Sequence, residues 1–214
     1  MIPRVATAYR EPLYLKEENM IKPKPKKFIS PDSNFVNGCD ATNFSVGNFW
    51  QWAYPDLQQN NIRGILAEFI VAKALNIPLS VRDTWDDYDL KTPDGIKIEI
   101  KSGAYLQSWG QAELSNIVFT GLCGQVWDAE SRCRGGDAQF RADIYIFAVQ
   151  IAKTHEEFNQ LDLAQWEFYL LPQKVLQKRG TKSMSLNALK KLVEPVGFSD
   201  LGRSVNYLQL KIAI

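Results

Sequence analysis

From Ile96 to Lys101 apolar and charged residues alternate without a break: Ile96, Ile98 and Ile100 on one parity, Lys97, Glu99 and Lys101 on the other. A period of two is that of a β-strand with one face buried. Immediately upstream, Thr92-Pro93-Asp94-Gly95 reads as a turn, because Pro presets φ, Asp caps its own backbone and Gly accepts positive φ. With Pro93-Asp94-Gly95 as a type I turn closed by a glycine bulge, Thr92 stands opposite Ile96, Leu90 opposite Ile98, Tyr88 opposite Ile100 and Asp89 opposite Glu99. A slip of one residue would set Leu90 against Lys97 and mix the faces. The pattern therefore predicts a hairpin with Asp89, Glu99 and Lys101 on a single face.

A second pattern runs from Leu57 to Leu75. Ile62, Ile65, Leu66, Phe69, Ile70, Val71 and Ala72 cover most of a helical circumference, which predicts a largely buried helix. Glu68 lies inside that apolar band, and a buried carboxylate without a partner costs several kcal/mol. Arg63 is five residues away and off its stripe, and Lys73 is expected to point to solvent, so Glu68 reads as functional. Further along, residues 117–120, 144–151 and 166–171 read as strands, with 162–165 a polar lead-in, and 172–178 and 186–193 as helices. Residues 205–213 alternate as a closing strand. Residues 1–48, rich in Pro, Asn and Ser, read as an irregular arm, and 49–214 as a single domain. The stretch 121–141 reads as a long loop carrying Arg132, Arg134 and Arg141, a length often tied to function, and these arginines are candidates for a phosphate backbone.

Composition removes several alternatives. The chain has 214 residues, 45% of them hydrophobic, enough for one cored α/β domain. It has no secretory segment and no long apolar run, so a soluble cytoplasmic protein without a membrane partner is expected. Its three cysteines, Cys39, Cys123 and Cys133, form no Cys-x-x-Cys pair and read as free thiols; with His155 they lack the ligand-pair spacing of a zinc site. His155 is the only histidine, which argues against mechanisms needing a His base, and Thr154-His-Glu-Glu157 reads as a helix-start capping box. No Gly-x-x-x-x-Gly-Lys loop is present, which argues against an NTPase. The net charge of +1 is mild for a nucleic-acid binder. Lys22-Pro-Lys-Pro-Lys-Lys27 and the cluster Lys174, Lys178, Arg179 and Lys182 read as solvated basic segments.

The facing carboxylates of Asp89 and Glu99 repel one another unless a positive charge sits between them. Mg²⁺ is suited to that place, because it takes hard oxygen ligands, keeps several waters and needs only one or two protein carboxylates plus a substrate phosphate. Asp89, Glu99, the carbonyl of Ile100 and Glu68 would hold it, with Mn²⁺ as a substitute. Lys101, two residues from Glu99 on the same face, would orient the attacking water and stabilise a pentavalent phosphorus.

The order of helix-borne Glu68, then Asp89, a short turn and Glu99-Ile-Lys101 resembles the PD-(D/E)XK nuclease superfamily over residues 57–102. The resemblance implies an α/β, restriction-endonuclease-like fold, with a central mixed β-sheet flanked by helices. It also implies Mg²⁺-dependent hydrolysis of phosphodiester bonds in nucleic acid, DNA foremost, as an endonuclease. Gln107 and Gln111 follow the lysine where some members supply a helix with a Gln and a Tyr; Gln107 is thus a substrate-contact candidate, and Gln111 departs from the pattern. The mild charge suggests dimerisation or a partner to supply affinity. The alternative is a non-catalytic member of the same fold, acting as a nucleic-acid-binding or structural subunit.

Overall fold

The computed structural model describes residues 24–82, 87–128 and 133–212. The expected irregular arm carries regular structure within it. Strands β1 (Asn34–Asn37) and β2 (Asp40–Ser45) form an antiparallel hairpin, and α1 (Val46–Ala53) follows. Ser45 and Asn48 cap α1 reciprocally, each side chain meeting the other's backbone N–H, which satisfies donors that a helix start leaves orphaned. The predicted central helix is α2 (Asn60–Ala74).

Four strands build the main sheet. They are β3 (Leu90–Lys91), β4 (Lys97–Ala104), β8 (Ile144–Gln150) and β9 (Trp166–Pro172), in the order β3-β4-β8-β9. β4 and β8 run parallel, with Glu99 beside Tyr145 and Lys101 beside Phe147, whereas β3 and β9 pair antiparallel to their neighbours. Every residue of β8 is buried, as expected of a central strand covered on both faces. The long connection from β4 to β8, which the parallel pairing requires, contains β5 (Val118–Phe119) and a hairpin of β6 (Gly124–Asp128) and β7 (Cys133–Gln139). The expected loop over 121–141 is thus largely a β-ribbon.

After a short 3₁₀ turn at Leu163–Gln165 comes β9, then α3 (Gln173–Arg179), β10 (Met184–Ser185), α4 (Leu186–Lys190) and α5 (Phe198–Ile212). β10 pairs with β5. One face of the sheet presents Ile98, Ile100, Ile144, Ile146 and Phe168 to α2 and α5. The other packs Tyr145, Phe147, Val149 and Tyr169 under β5, β10, α3 and α4. Gly103 makes the second layer fit: a Cβ there would stand 2.6 Å from Ile117 Cγ2 and 3.2 Å from Phe119 Cε1.

The expected closing strand at 205–213 is a correction, because these residues belong to α5 and only Ala213 lies outside the described set. Leu201, Val205, Leu208 and Ile212 recur at helical spacing and pack on the core, while Tyr207 and Leu210 are exposed. Thr154–Glu157 forms a turn with Glu157 N–H donating to Thr154 Oγ1 (3.3 Å), rather than a helix start, and His155 is exposed. No helix among the described residues is long and apolar enough to cross a membrane.

Candidate active site at the edge of the sheet

The site grows from the turn. Gly95 adopts φ +90°, a conformation glycine takes at no steric cost. Its N–H donates to Thr92 O (2.9 Å), and Thr92 N–H donates to Ile96 O (2.9 Å). These bonds fix Leu90 opposite Ile98 and Lys91 opposite Lys97, the register that the hydrophobic pattern demands. Asp89 is one step beyond the last paired residue and opposite Glu99. Its N–H donates to Ile98 O (3.1 Å), while its Oδ2 accepts from Ile100 N–H (2.6 Å). Asp89 thereby grips the two peptide groups that bracket Glu99, and Ile100 serves as the hinge between the acids. At the far side of the strand start, Asp143 Oδ2 accepts from Lys97 N–H (2.8 Å) and anchors β4 to β8.

The charged face of β4 is half-buried. Lys101 Nζ lies 2.6 Å from Glu99 Oε1. Glu68, on α2, receives a fork from Arg82, with Nε to Oε2 at 2.5 Å and Nη2 to Oε1 at 2.7 Å. Two of the three carboxylates therefore have a cation each. Asp89 accepts the Ile100 N–H but stands in the field of both other acids. Burial first, and Glu99 next, push its carboxyl up from the ordinary 3.8 to about 7; Glu68 adds to the rise, while the Ile100 hydrogen bond and Lys101 oppose it. A buried acid beside like charges holds a proton that an exposed one would have lost.

The structure thus brings Glu68, Asp89, Glu99 and Lys101 to one end of the β3–β4 edge. Among the described residues, no three His, Cys, Asp or Glu side chains are close enough together to form a metal-holding group. The donor chemistry nevertheless fits Mg²⁺, which requires one or two hard carboxylates and completes its octahedron with water and substrate oxygens. Asp89 and Glu99 are such a pair. Arg82 and Lys101 offset charge that a divalent ion would otherwise balance.

The remaining candidates lie elsewhere. Gln107 is buried and engaged within the protein: its Nε2 donates to Ala104 O (3.2 Å) and Ser115 Oγ (3.0 Å), and its Oε1 accepts from Arg63 Nη1 (3.4 Å). Gln111 Oε1 accepts from Gln107 N–H (2.6 Å), so this pair braces the loop after β4. Arg63 itself is buried and bonded to Gln58 O and Asn60 Oδ1. Arg141 pairs with Asp87 and donates from Nε to Gly124 O (3.4 Å). Arg134 belongs to β7, with its side chain outside the described set, and Arg132 lies outside it altogether. Cys39 and Cys123 are free thiols.

Arg82 is the participant the sequence does not reveal. It is fourteen residues from Glu68, across a connection with no periodicity, so neither helical nor strand spacing signals the pair. No family model matches the chain, and no curated protein sequence matches it.

Proposed function

We propose that the chain is a metal-dependent nuclease with a restriction-endonuclease-like core, hydrolysing phosphodiester bonds in nucleic acid, most naturally DNA. The observation that carries the reading is Asp89 held opposite Glu99-Ile100-Lys101, with the one carboxyl of the group that lacks a cation pushed up to about 7. A strongly perturbed carboxyl beside a specific charge partner marks a candidate functional site. Glu68 on α2 supplies a third acid on the other side of Asp89.

A bound Mg²⁺ or Mn²⁺ supplies Lewis acidity toward the phosphate and lowers the pKa of a bound water. The chain's own groups do the rest. Asp89 and Glu99 offer hard oxygen ligands, and the Asp89–Ile100 hydrogen bond sets the angle at which Glu99 leaves the strand. Lys101 places a compact positive charge two residues on, where it orients the attacking water and offsets charge developing on phosphorus-bound oxygens. Glu68 would serve as a further ligand or base where Arg82 does not hold it, and Arg82 would then be available to a phosphate oxygen.

The test is nicking of supercoiled plasmid with Mg²⁺ or Mn²⁺ by the wild type, Glu99→Ala and Lys101→Ala. Metal-dependent nicking lost in both variants is expected; nicking that survives both rejects the site. The two internal ion pairs favour one second reading, a non-catalytic nucleic-acid-binding subunit whose Arg82 and Lys101 replace the metal's charge. Binding without nicking in the wild type is its signature.

A further inference from the structure

Beside the acids lies a concavity of about 480 Å³ whose apolar walls the chemistry above does not use, within the 300–1,000 Å³ range of small-ligand sites. Its polar end is Glu68, Arg82 and Asp89, and its walls include Phe28, Phe69 and Tyr88. Phe69 is 48% exposed and Ile65 44%, although α2 is otherwise the best-buried helix stripe against the sheet. Large apolar side chains left open beside a charged site call for an apolar occupant. Two cations, Arg82 and Lys91, belong to its lining. Two more stand over rings that line it, Lys73 Nζ 5.4 Å from the centroid of Phe69 and Lys97 Nζ 5.3 Å from that of Tyr88. Aromatic walls, these cations and a hydrogen-bonding end together match a nucleotide, with a base to stack, a polar base edge to pair and phosphates to neutralise.

We infer that this concavity receives an unpaired base of the substrate next to the scissile phosphate, so that the enzyme acts on single-stranded or locally opened nucleic acid. The inference rests on the nuclease reading and narrows it to a substrate class. Its geometric basis is continuity: Glu68 and Asp89 belong both to the acid cluster and to the concavity wall. A base lodged in the concavity therefore borders the same two carboxylates as the group to be cleaved. Duplex DNA, whose bases are stacked and paired, must first be opened there, which costs energy that a single strand does not incur.

The experiment compares binding of a 12-nucleotide oligo-deoxythymidine strand and an abasic sugar-phosphate strand of equal length, by fluorescence anisotropy in EDTA at low salt. One stacked base is worth roughly 5- to 150-fold in affinity, so the thymidine strand is expected to bind tighter by that factor. Phe69→Ala should bring the ratio close to one, weakening the thymidine strand far more than the abasic strand, which has no base to stack. Phe69→Leu, which keeps the apolar volume without the ring, should fall between them, and an unchanged urea midpoint confirms that both variants fold. A 2-aminopurine placed along the strand should lose fluorescence at one position only, an independent readout that needs no variant. Equal affinities for the two strands, or a ratio that survives Phe69→Ala, overturn the inference even where plasmid nicking proceeds. Absence of binding together with absence of nicking overturns the nuclease reading itself.

Discussion

Replacing Asp89 by Asn should stabilise the metal-free protein at alkaline pH, although it removes a residue at the heart of the candidate site. The carboxyl is pushed from 3.8 to about 7 by burial and by Glu99, with Glu68 adding to it, a shift of about three units, each worth about 1.4 kcal/mol. Because the folded-state pKa exceeds the unfolded one, the folded protein holds the proton more tightly. This group's contribution to stability is full below about pH 4 and is lost as pH rises through about 7. Between pH 5 and pH 8 the loss comes to about 2–3 kcal/mol. The Asn side chain has no charge to lose, and its carbonyl oxygen still accepts from Ile100 N–H. Stability of Asp89→Asn relative to wild type should therefore rise by that amount over the same interval. Urea unfolding followed by tryptophan fluorescence in EDTA, at unit steps from pH 5 to pH 8, measures it. With Mg²⁺ at a hundredfold excess over its dissociation constant the wild type should regain about 2.7 kcal/mol, and the variant much less. A difference between the two proteins that stays flat with pH to within about 0.5 kcal/mol would show that Asp89 is not confined among like charges, and the argument for the site would fail.

Metal binding competes with that same proton, so the apparent Mg²⁺ affinity by calorimetry should weaken about tenfold per unit as pH falls below 7; an affinity constant down to pH 5.5 removes Asp89 from the ligands. Arg82→Ala frees Glu68 and removes a positive charge that opposes a cation, so Mg²⁺ should bind severalfold tighter in the variant, by the same measurement. Lys101→Met should abolish nicking while Mg²⁺ affinity holds or rises, because in the proposed mechanism the lysine would act on water and phosphate rather than on the ion. Gly103→Ala should cost about 1–3 kcal/mol by overpacking, since its methyl would meet Ile117 Cγ2 at 2.6 Å; a urea midpoint unchanged from wild type would mean that the layer under β5 yields freely.

What the sequence made legible follows the range over which the physics acts. The Asp89–Glu99 register depends on a turn of three residues and on alternation within six, all local, and the pairing of Leu90 with Ile98 follows from them. α5 was misread because the window from Val205 to Ala213 contains Leu208, Leu210 and Ile212 at strand spacing. Only when Phe198 and Leu201 are included does the helical stripe with Val205, Leu208 and Ile212 outweigh it. The β1–β2 hairpin went unseen because its strands carry exposed Phe35, Val36 and Phe44 among polar residues, leaving no buried parity to detect. α2 is legible as a helix but not in its facing: seven apolar positions over most of its circumference predict a largely buried helix, whereas Ile65 and Phe69 are exposed and line the concavity with Glu68.

That facing links the fold to the chemistry. Had α2 been buried all round, Glu68 would have needed a partner within the core, and Arg63, five residues away, is instead spent on Asn60, Gln58 and Gln107. Because the helix turns one apolar stripe outward, Glu68 reaches the surface edge where Arg82 arrives from a separate segment. Arg82 is the more exposed partner of that fork, and its two hydrogen bonds meet both oxygens of a largely buried Glu68. Glu99 and Lys101, by contrast, stand two residues apart on one strand. The edge therefore combines an acid–lysine pair within one strand, one acid whose carboxyl is pushed up to about 7, and one acid forked by an arginine from a separate segment. On the proposed reading, a divalent ion would compete with the Asp89 proton and with Arg82 for the same carboxylates.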